Sequence, residues 1–357
     1  MKRTGIIGLG LVTILLIVGV SMKKPILTAI MSKGIESRIA TNVMSELTDG
    51  LHVALCGAGG PLPAPNASGP CVAVIAGQRL FIVDAGTDGL RNLGRMGIPA
   101  GSIEAVFLSH FHSDHIDGLG ELATIRWVSA GNTAALPVYG PTGVQKVVDG
   151  FNLAYSLDTV YRHDHHGDTA APLSGKGMIA NEFAMPEGKR MMPLLDNDEL
   201  KIEVLAVDHS PVEPAVAYRF TYKGRTTLIS GDTVASESVR QHSQGIDLLV
   251  HEALAPNLVN MMNAAAVKMG NRVVAKVTAD IIDYHASPIE AAQIAKDAEV
   301  GHLLYYHIMP PLVLPGQDSL FLNGAEEVFP NYTIGQDGVL FSMPAGSNEI
   351  IKVKKGL

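Results

Sequence analysis

The segment Ser109–Gly118, SHFHSDHIDG, sets three histidines and two aspartates within eight positions, directly after the apolar run EAVFL. A run of that length and character reads as a buried strand, so the cluster falls where the strand ends and its loop opens, a common home for catalytic groups. On extended backbone alternate side chains face the same way. His110 and His112 can therefore converge on one ion, while Asp114 and His115, beyond the bend, can aim at a second. Imidazole with carboxylate suits Zn²⁺, and also Mn²⁺ or Fe²⁺. Two ions need more ligands than one loop supplies. Three other apolar runs end in a candidate: VLAVD before His209, LISG before Asp232 and LLYY before His307. One edge of a sheet would gather all three.

Elsewhere the chain alternates strand-like and helix-like stretches, which indicates an α/β architecture. With 47% hydrophobic and 17% charged residues, the 357-residue chain can bury a sizeable core. A net charge of −8 argues against a polyanion-binding surface. SPIEAAQIAKDAEV reads as a helix with Ser287 as N-cap, Pro288 in the first turn and Glu290 closing a capping box. Residues 129–200 show no long periodic segment and read as an insertion or lid. Within them, His163–His166 (HDHH) is either an extra metal site or part of an exposed loop.

The uncharged run Gly5–Met22, eighteen residues between Lys2–Arg3 and Lys23–Lys24, is just long enough to span a bilayer as a helix. Residues 1–24 therefore read as an N-terminal membrane anchor or a cleaved signal, with 25–50 as a juxtamembrane helix or linker. The body is expected to be exported, on the periplasmic side, although the balanced flanking charges leave a cytoplasmic body open. Cys56 and Cys71, fifteen positions apart, are either a disulfide or two buried thiols.

The ligand pattern resembles the metallo-β-lactamase superfamily, over roughly Leu51–Ser342. The resemblance implies an αβ/βα sandwich of two mixed sheets flanked by helices, occupying residues 51–345 ahead of a tail at 346–357. It implies two divalent metal ions, Zn²⁺ foremost: one on His110, His112 and His209, the other on Asp114, His115 and His307, with Asp232 bridging. Asp84 in FIVDAG matches the family's first motif and would orient the cluster from behind. VDHSPVEPAVAYRF, VHEAL and YHASPIEAAQIAKDAEVGHLLYYHIMP look like the ribonuclease Z and arylsulfatase branch. There a histidine in a His-Ser-Thr-type triplet assists catalysis. The matching residue is His285, although Ala286 and Ser287 depart from the triplet. Glu252 would support His285 or a ligand. HEALA lacks the second histidine of a metalloprotease motif, since position 255 is alanine.

Ribonuclease Z enzymes generally carry a long arm between the third-motif histidine and the bridging aspartate, used to grip tRNA. Here His209 and Asp232 are 23 positions apart. With no room for that arm, the arylsulfatase-like resemblance implies hydrolysis of a small anionic ester, a sulfate ester or phosphodiester, by a hydroxide held between the ions, with Asp114, Asp232 and His285 as the catalytic groups. A 3′-tRNA-processing endonuclease is the alternative, followed by a lactonase or a non-catalytic metal-binding protein. The expected partners are the small ester and the membrane rather than nucleic acid, and a homodimer is compatible with the resemblance.

Overall fold

The computed structural model describes residues 23–197 and 199–357. By contacts the chain divides into Met1–Val43 and Met44–Leu357. The first unit is described over a helix at residues 23–40, exposed throughout. Most of the expected anchor, residues 1–22, lies outside the described residues. Among the described residues no helix is long and apolar enough to cross a membrane.

In the second unit, strands alternate with helices and assemble into two mixed sheets. The first holds β1 (Gly50–Gly57), β2 (Cys71–Ala76), β3 (Arg79–Val83), β4 (Ile103–Phe107), β5 (Leu136–Pro141) and β6 (Met178–Phe183). The second holds β7 (Met192–Asp196), β8 (Leu200–Ala206), β9 (Val216–Tyr222), β10 (Arg225–Ile229), β11 (Leu248–Leu254), β12 (His302–Met309) and β13 (Tyr332–Ile334). β14 (Val339–Pro344) and β15 (Ile351–Lys355) return to the first, giving the orders β15-β14-β1-β2-β3-β4-β5-β6 and β13-β12-β11-β10-β9-β8-β7. β3 to β6 run parallel, as do β10 to β13, and the other pairings are antiparallel.

The two-residue side-chain period of a strand explains which residues meet between the sheets. On β9, Val216, Tyr218 and Phe220 join Val53, Val74, Phe81 and Phe107 of the first sheet in one core. Ala217, between them, faces the other way into a second core, with Leu249, Leu303 and the helix Pro288–Asp297. Phe107 is central to the first core: its ring lies 4.9 Å from Tyr139 in a stack and 5.4 Å from Tyr218. It anchors the strand that delivers the histidine cluster, which begins three residues later.

Residues 129–200 are not a lid. They supply β5, β6 and β7 together with helices Val144–Ala154 and Ser156–Ala170. β5 and β6 extend the first sheet in register from Leu136↔Met178 to Pro141↔Phe183. The sequence hid this because β6 and β7 are edge strands with few buried positions and the second helix is largely polar. The helix Pro288–Asp297 has the expected capping box: Glu290 N–H donates to Ser287 Oγ, and Ser287 N–H to Glu290 Oε2.

The two cysteines form a disulfide that joins the end of β1 to the start of β2. Closing a loop of fifteen residues removes about 3 kcal/mol of chain entropy from the unfolded state. Cys71→Ala should therefore lower unfolding stability by about 2–4 kcal/mol, read as a reduced urea midpoint that added reductant does not lower further.

Candidate metal centre

Every ligand-type side chain of the sequence pattern comes to the same edge of the sandwich. Asp84 directly follows β3 with a left-handed backbone (φ 58°) and is 1% exposed. Its Oδ1 accepts from Ser109 N–H at 2.8 Å, and its Oδ2 from Ser109 Oγ–H at 2.8 Å and His115 Nδ1–H at 2.9 Å. One carboxylate thus fixes the entrance of the histidine loop and the tautomer of a histidine inside it. β4 ends at Phe107 and the chain bends at Ser109; His112 is extended (φ −60°, ψ 148°), and a single helical turn, Ser113–Ile116, then swings Asp114 and His115 around.

Two groups of possible ligand atoms result. His110, His112, His209 and Asp232 form one, and Asp114, His115 and His307 the other; within each, all the ligand atoms lie within 4.8 Å of one another. Asp232 stands between them. Its Oδ2 is 3.7 Å from His110 Nε2, 3.8 Å from His209 Nε2, 3.4 Å from His115 Nε2 and 3.3 Å from His307 Nε2. His307 reaches this place through a bulge: Tyr306 pairs with Glu252 and Ile308 with Ala253, leaving His307 unpaired at φ 44°. Such a bulge re-aims a side chain at the end of a strand. Gly60 lies against that ring, and a Cβ there would sit 3.0 Å from His307 Cε1. His209 is oriented from behind, with Nδ1–H donating to the Tyr284 carbonyl at 2.8 Å.

The donor set fits two divalent cations. His115 Nε2, His209 Nε2 and Asp232 Oδ1 are buried without a hydrogen-bond partner, and buried polar atoms are rarely left so. His110 Nε2 and His112 Nδ1 face each other at 3.0 Å. Burial holds His110 well below the ordinary histidine range and brings His209 to about 4, so both present the neutral ring a metal requires. Burial opposes charge on His115, but the Asp232 and Asp84 carboxylates overcome it and raise this ring well above that range. Burial also opposes the Asp232 carboxylate, and His307 and His115 outweigh it, holding Asp232 well below the usual carboxylate range.

His285 lies at the rim of this cluster, and its Nδ1–H donates to Glu252 Oε1 at 2.9 Å. The same oxygen accepts from Thr233 N–H at 3.1 Å and Ala286 N–H at 3.2 Å. Glu252 therefore holds His285 and is not in the two ligand groups. Burial, reinforced by Asp232, pushes the Glu252 carboxyl well above its usual range. Oε2 has no partner, so these three hydrogen bonds all fall on Oε1. His285 also lies close enough to Asp232 and His307 to form a third ligand group.

His163–His166 sit on the helix Ser156–Ala170, away from these groups. Ring nitrogen Nδ1 of His163 bonds the Ala171 carbonyl, and the His165 and His166 rings contact each other. They form no metal-type cluster among the described residues. Sequence reasoning missed Ser109, Tyr284 and a helical hairpin, Pro256–Lys268 and Arg272–Asp280, that walls the cavity in front of the centre. The spacing of Val259, Met262, Val273, Val274 and Val277 was the available signal.

Asp84→Asn tests the support behind the cluster, since asparagine keeps the shape and tolerates the left-handed backbone. It should lower metal affinity about 10–100-fold, measured by competition with a chromogenic chelator.

The Beta-lactamase superfamily domain profile matches residues 79–308. Ribonuclease Z of Mycobacterium bovis (strain BCG / Pasteur 1173P2) is 35% identical over 270 residues, covering 75% of this chain and 89% of that protein. Ribonuclease Z of Mycobacterium marinum (strain ATCC BAA-535 / M) is 32% identical over 289 residues, covering 80% and 96%. Among solved structures, the metallo-β-lactamase fold protein YhfI from Bacillus subtilis superposes with a TM-score of 0.57 at 24% identity, covering 82% of this chain and 99% of that one. The short form of human tRNase Z gives 0.57 at 19% identity, with the same coverage. At that identity the structures speak for the fold alone.

These relatives overturn three expectations. A small anionic ester as substrate, the exclusion of nucleic acid as partner, and an exported, membrane-anchored body all conflict with curated relatives named ribonuclease Z. The short span between His209 and Asp232, filled by β9, β10 and a Lys223–Gly224 turn, and the net charge of −8 do not exclude RNA. Net charge says nothing of the local field at one sheet edge. From the profile match, the shared identity and the two-sheet architecture, this chain belongs to the metallo-β-lactamase superfamily, in the branch of the ribonuclease Z enzymes.

Proposed function

We propose that the protein is a metal-dependent endonuclease that hydrolyses a phosphodiester bond in RNA, at the 3′ side of tRNA precursors. The observation that carries the substrate class is the 35% identity to a ribonuclease Z across 89% of that relative. In this reading His110, His112 and His209 hold one divalent ion, Asp114, His115 and His307 the other, and Asp232 is shared between them. Such ions, when bound, polarise a phosphoryl oxygen and lower the pKa of water.

The chain's own groups do the rest. Asp84 and the Tyr284 carbonyl fix the tautomers of His115 and His209, so that Nε2 of each points inward. Glu252 Oε1 accepts the Nδ1 proton of His285, leaving Nε2 as the free nitrogen of a ring that lines the cavity. Burial holds His285 below the ordinary histidine range, partly offset by Asp232; an anionic phosphodiester in the cavity would favour the imidazolium form, whose Nε2–H would protonate the leaving 3′-oxygen. Asp114, in the second group, and Asp232, between the two groups, would accept a hydrogen bond from the attacking water.

The test is incubation of metal-loaded protein with a tRNA precursor bearing a 3′ extension, beside an aryl sulfate and a bis-aryl phosphodiester. Release of the extension is expected. Turnover of the aryl sulfate with the RNA left intact would reject the reading.

A further inference from the structure

The chain between β1 and β2 passes beside the metal centre, where Gly60 abuts His307: a Cβ there would sit 3.3 Å from the ring's Nε2. The anchorage of this loop begins four residues earlier. The β1–β2 register slips between Leu55 and Gly57, leaving Cys56 as the extra residue of a bulge, and the disulfide ties it to Cys71. From Cys56 the chain runs directly to the ligand. The Ala58 carbonyl accepts from Ile308 N–H at 3.0 Å, and Gly59 bridges Ile308. The His307 ring lacks a support that three of its neighbours have. Nδ1 of His110 meets Ser109 Oγ at 3.1 Å, that of His115 meets Asp84, and that of His209 meets the Tyr284 carbonyl. His307 Nδ1 is buried with no hydrogen-bond partner among the described residues. Its orientation rests on the bulge in β12 and on this loop.

We infer that the Cys56–Cys71 disulfide positions His307, and that its reduction weakens the ion held by Asp114, His115 and His307. The inference rests on the two-ion assignment above. A dithiol supplies two electrons and two protons: the Sγ–Sγ bond breaks, Cys56 and Cys71 become thiols, and the dithiol closes to its own disulfide. Both cysteines are fully buried, so the dithiol gains access only as the loop opens. After reduction the bulge has lost its covalent tie, and the stretch that seats the ring gains freedom. Asp337 still ties the two ends of the loop, its Oδ1 accepting from Ala58 N–H at 2.9 Å and its Oδ2 from Ser68 N–H at 2.9 Å. The seat therefore loosens while the fold holds. Linkage makes the effect mutual: the factor by which the disulfide strengthens the ion is the factor by which the ion protects the disulfide.

The experiment titrates Mn²⁺, an ion with little preference for thiolates, into the oxidised protein, the reduced protein and a Cys56→Ser/Cys71→Ser variant. Reduction is by dithiothreitol, removed without air before the titration. The oxidised form should take two ions. The reduced form and the variant should bind one of them about ten-fold more weakly, hold the other unchanged and keep the circular dichroism of the oxidised protein. Reoxidation should restore the reduced form. In a His307→Ala background reduction should cost no further affinity, because the ring it acts through is gone. Saturating Mn²⁺ should in turn make the disulfide about ten-fold harder to reduce at equilibrium, about 30 mV for a two-electron couple. Unchanged affinities, equal weakening of both ions, or a reduced protein that unfolds would overturn the positioning role while the two-ion reading stands. Fewer than two ions on the oxidised protein would overturn both.

Discussion

Asp232→Ala should abolish hydrolysis, lowering kcat by at least about 10³-fold, more than losing one hydrogen-bond donor costs in a typical active site. The carboxylate is 2% exposed, and its Oδ2 lies within 3.8 Å of four imidazole nitrogens from both ligand groups. No neighbour can replace it. An alanine leaves those rings facing one another without the shared anion, so metal content should fall with activity. Elemental analysis beside turnover checks this. Near-normal turnover would refute the shared-ligand assignment.

His285→Ala should act differently. Loss of a proton donor to the leaving oxygen typically costs about 10²–10⁴-fold in rate, and here it should appear in kcat with the metal content unchanged. The sheet-edge ligands keep their own supports, Asp84 behind His115 and the Tyr284 carbonyl behind His209. Substrates with a better leaving group need less help from an acid, so an activated aryl phosphodiester should be less impaired than RNA. Metal loss in this variant would instead make His285 a ligand, in the group it forms with Asp232 and His307.

The site residues were legible because of where they stand in the sequence. His307 directly follows a buried apolar run, His110, His209 and Asp232 stand within a residue or two of one, and the ends of neighbouring parallel or adjoining strands fall on one edge. The bulge that frees His307 was not legible, since it depends on the register between β11 and β12. In the sequence Glu252 can support either His285 or a metal ligand, and the fold decides it, with Glu252 Oε1 accepting from His285 Nδ1–H. The roof was misplaced. Polar edge strands made 129–200 look irregular, while 256–280, whose valines and methionines wall the cavity, received no assignment from the sequence. Substrate class was the least legible property, because the same ligands serve many esters and the discriminating surface lies outside them.

The most direct measurement is the end chemistry of a cleaved tRNA precursor, mapped at nucleotide resolution with metal-loaded wild-type protein and with Asp232→Ala. Attack by water with His285 protonating the leaving 3′-oxygen predicts one cut at the 3′ side of the tRNA body, leaving a 3′-hydroxyl there and a 5′-phosphate on the released extension, with no cut by the variant. Intact RNA, a 2′,3′-cyclic phosphate at the cut, or cleavage that survives Asp232→Ala would contradict the account.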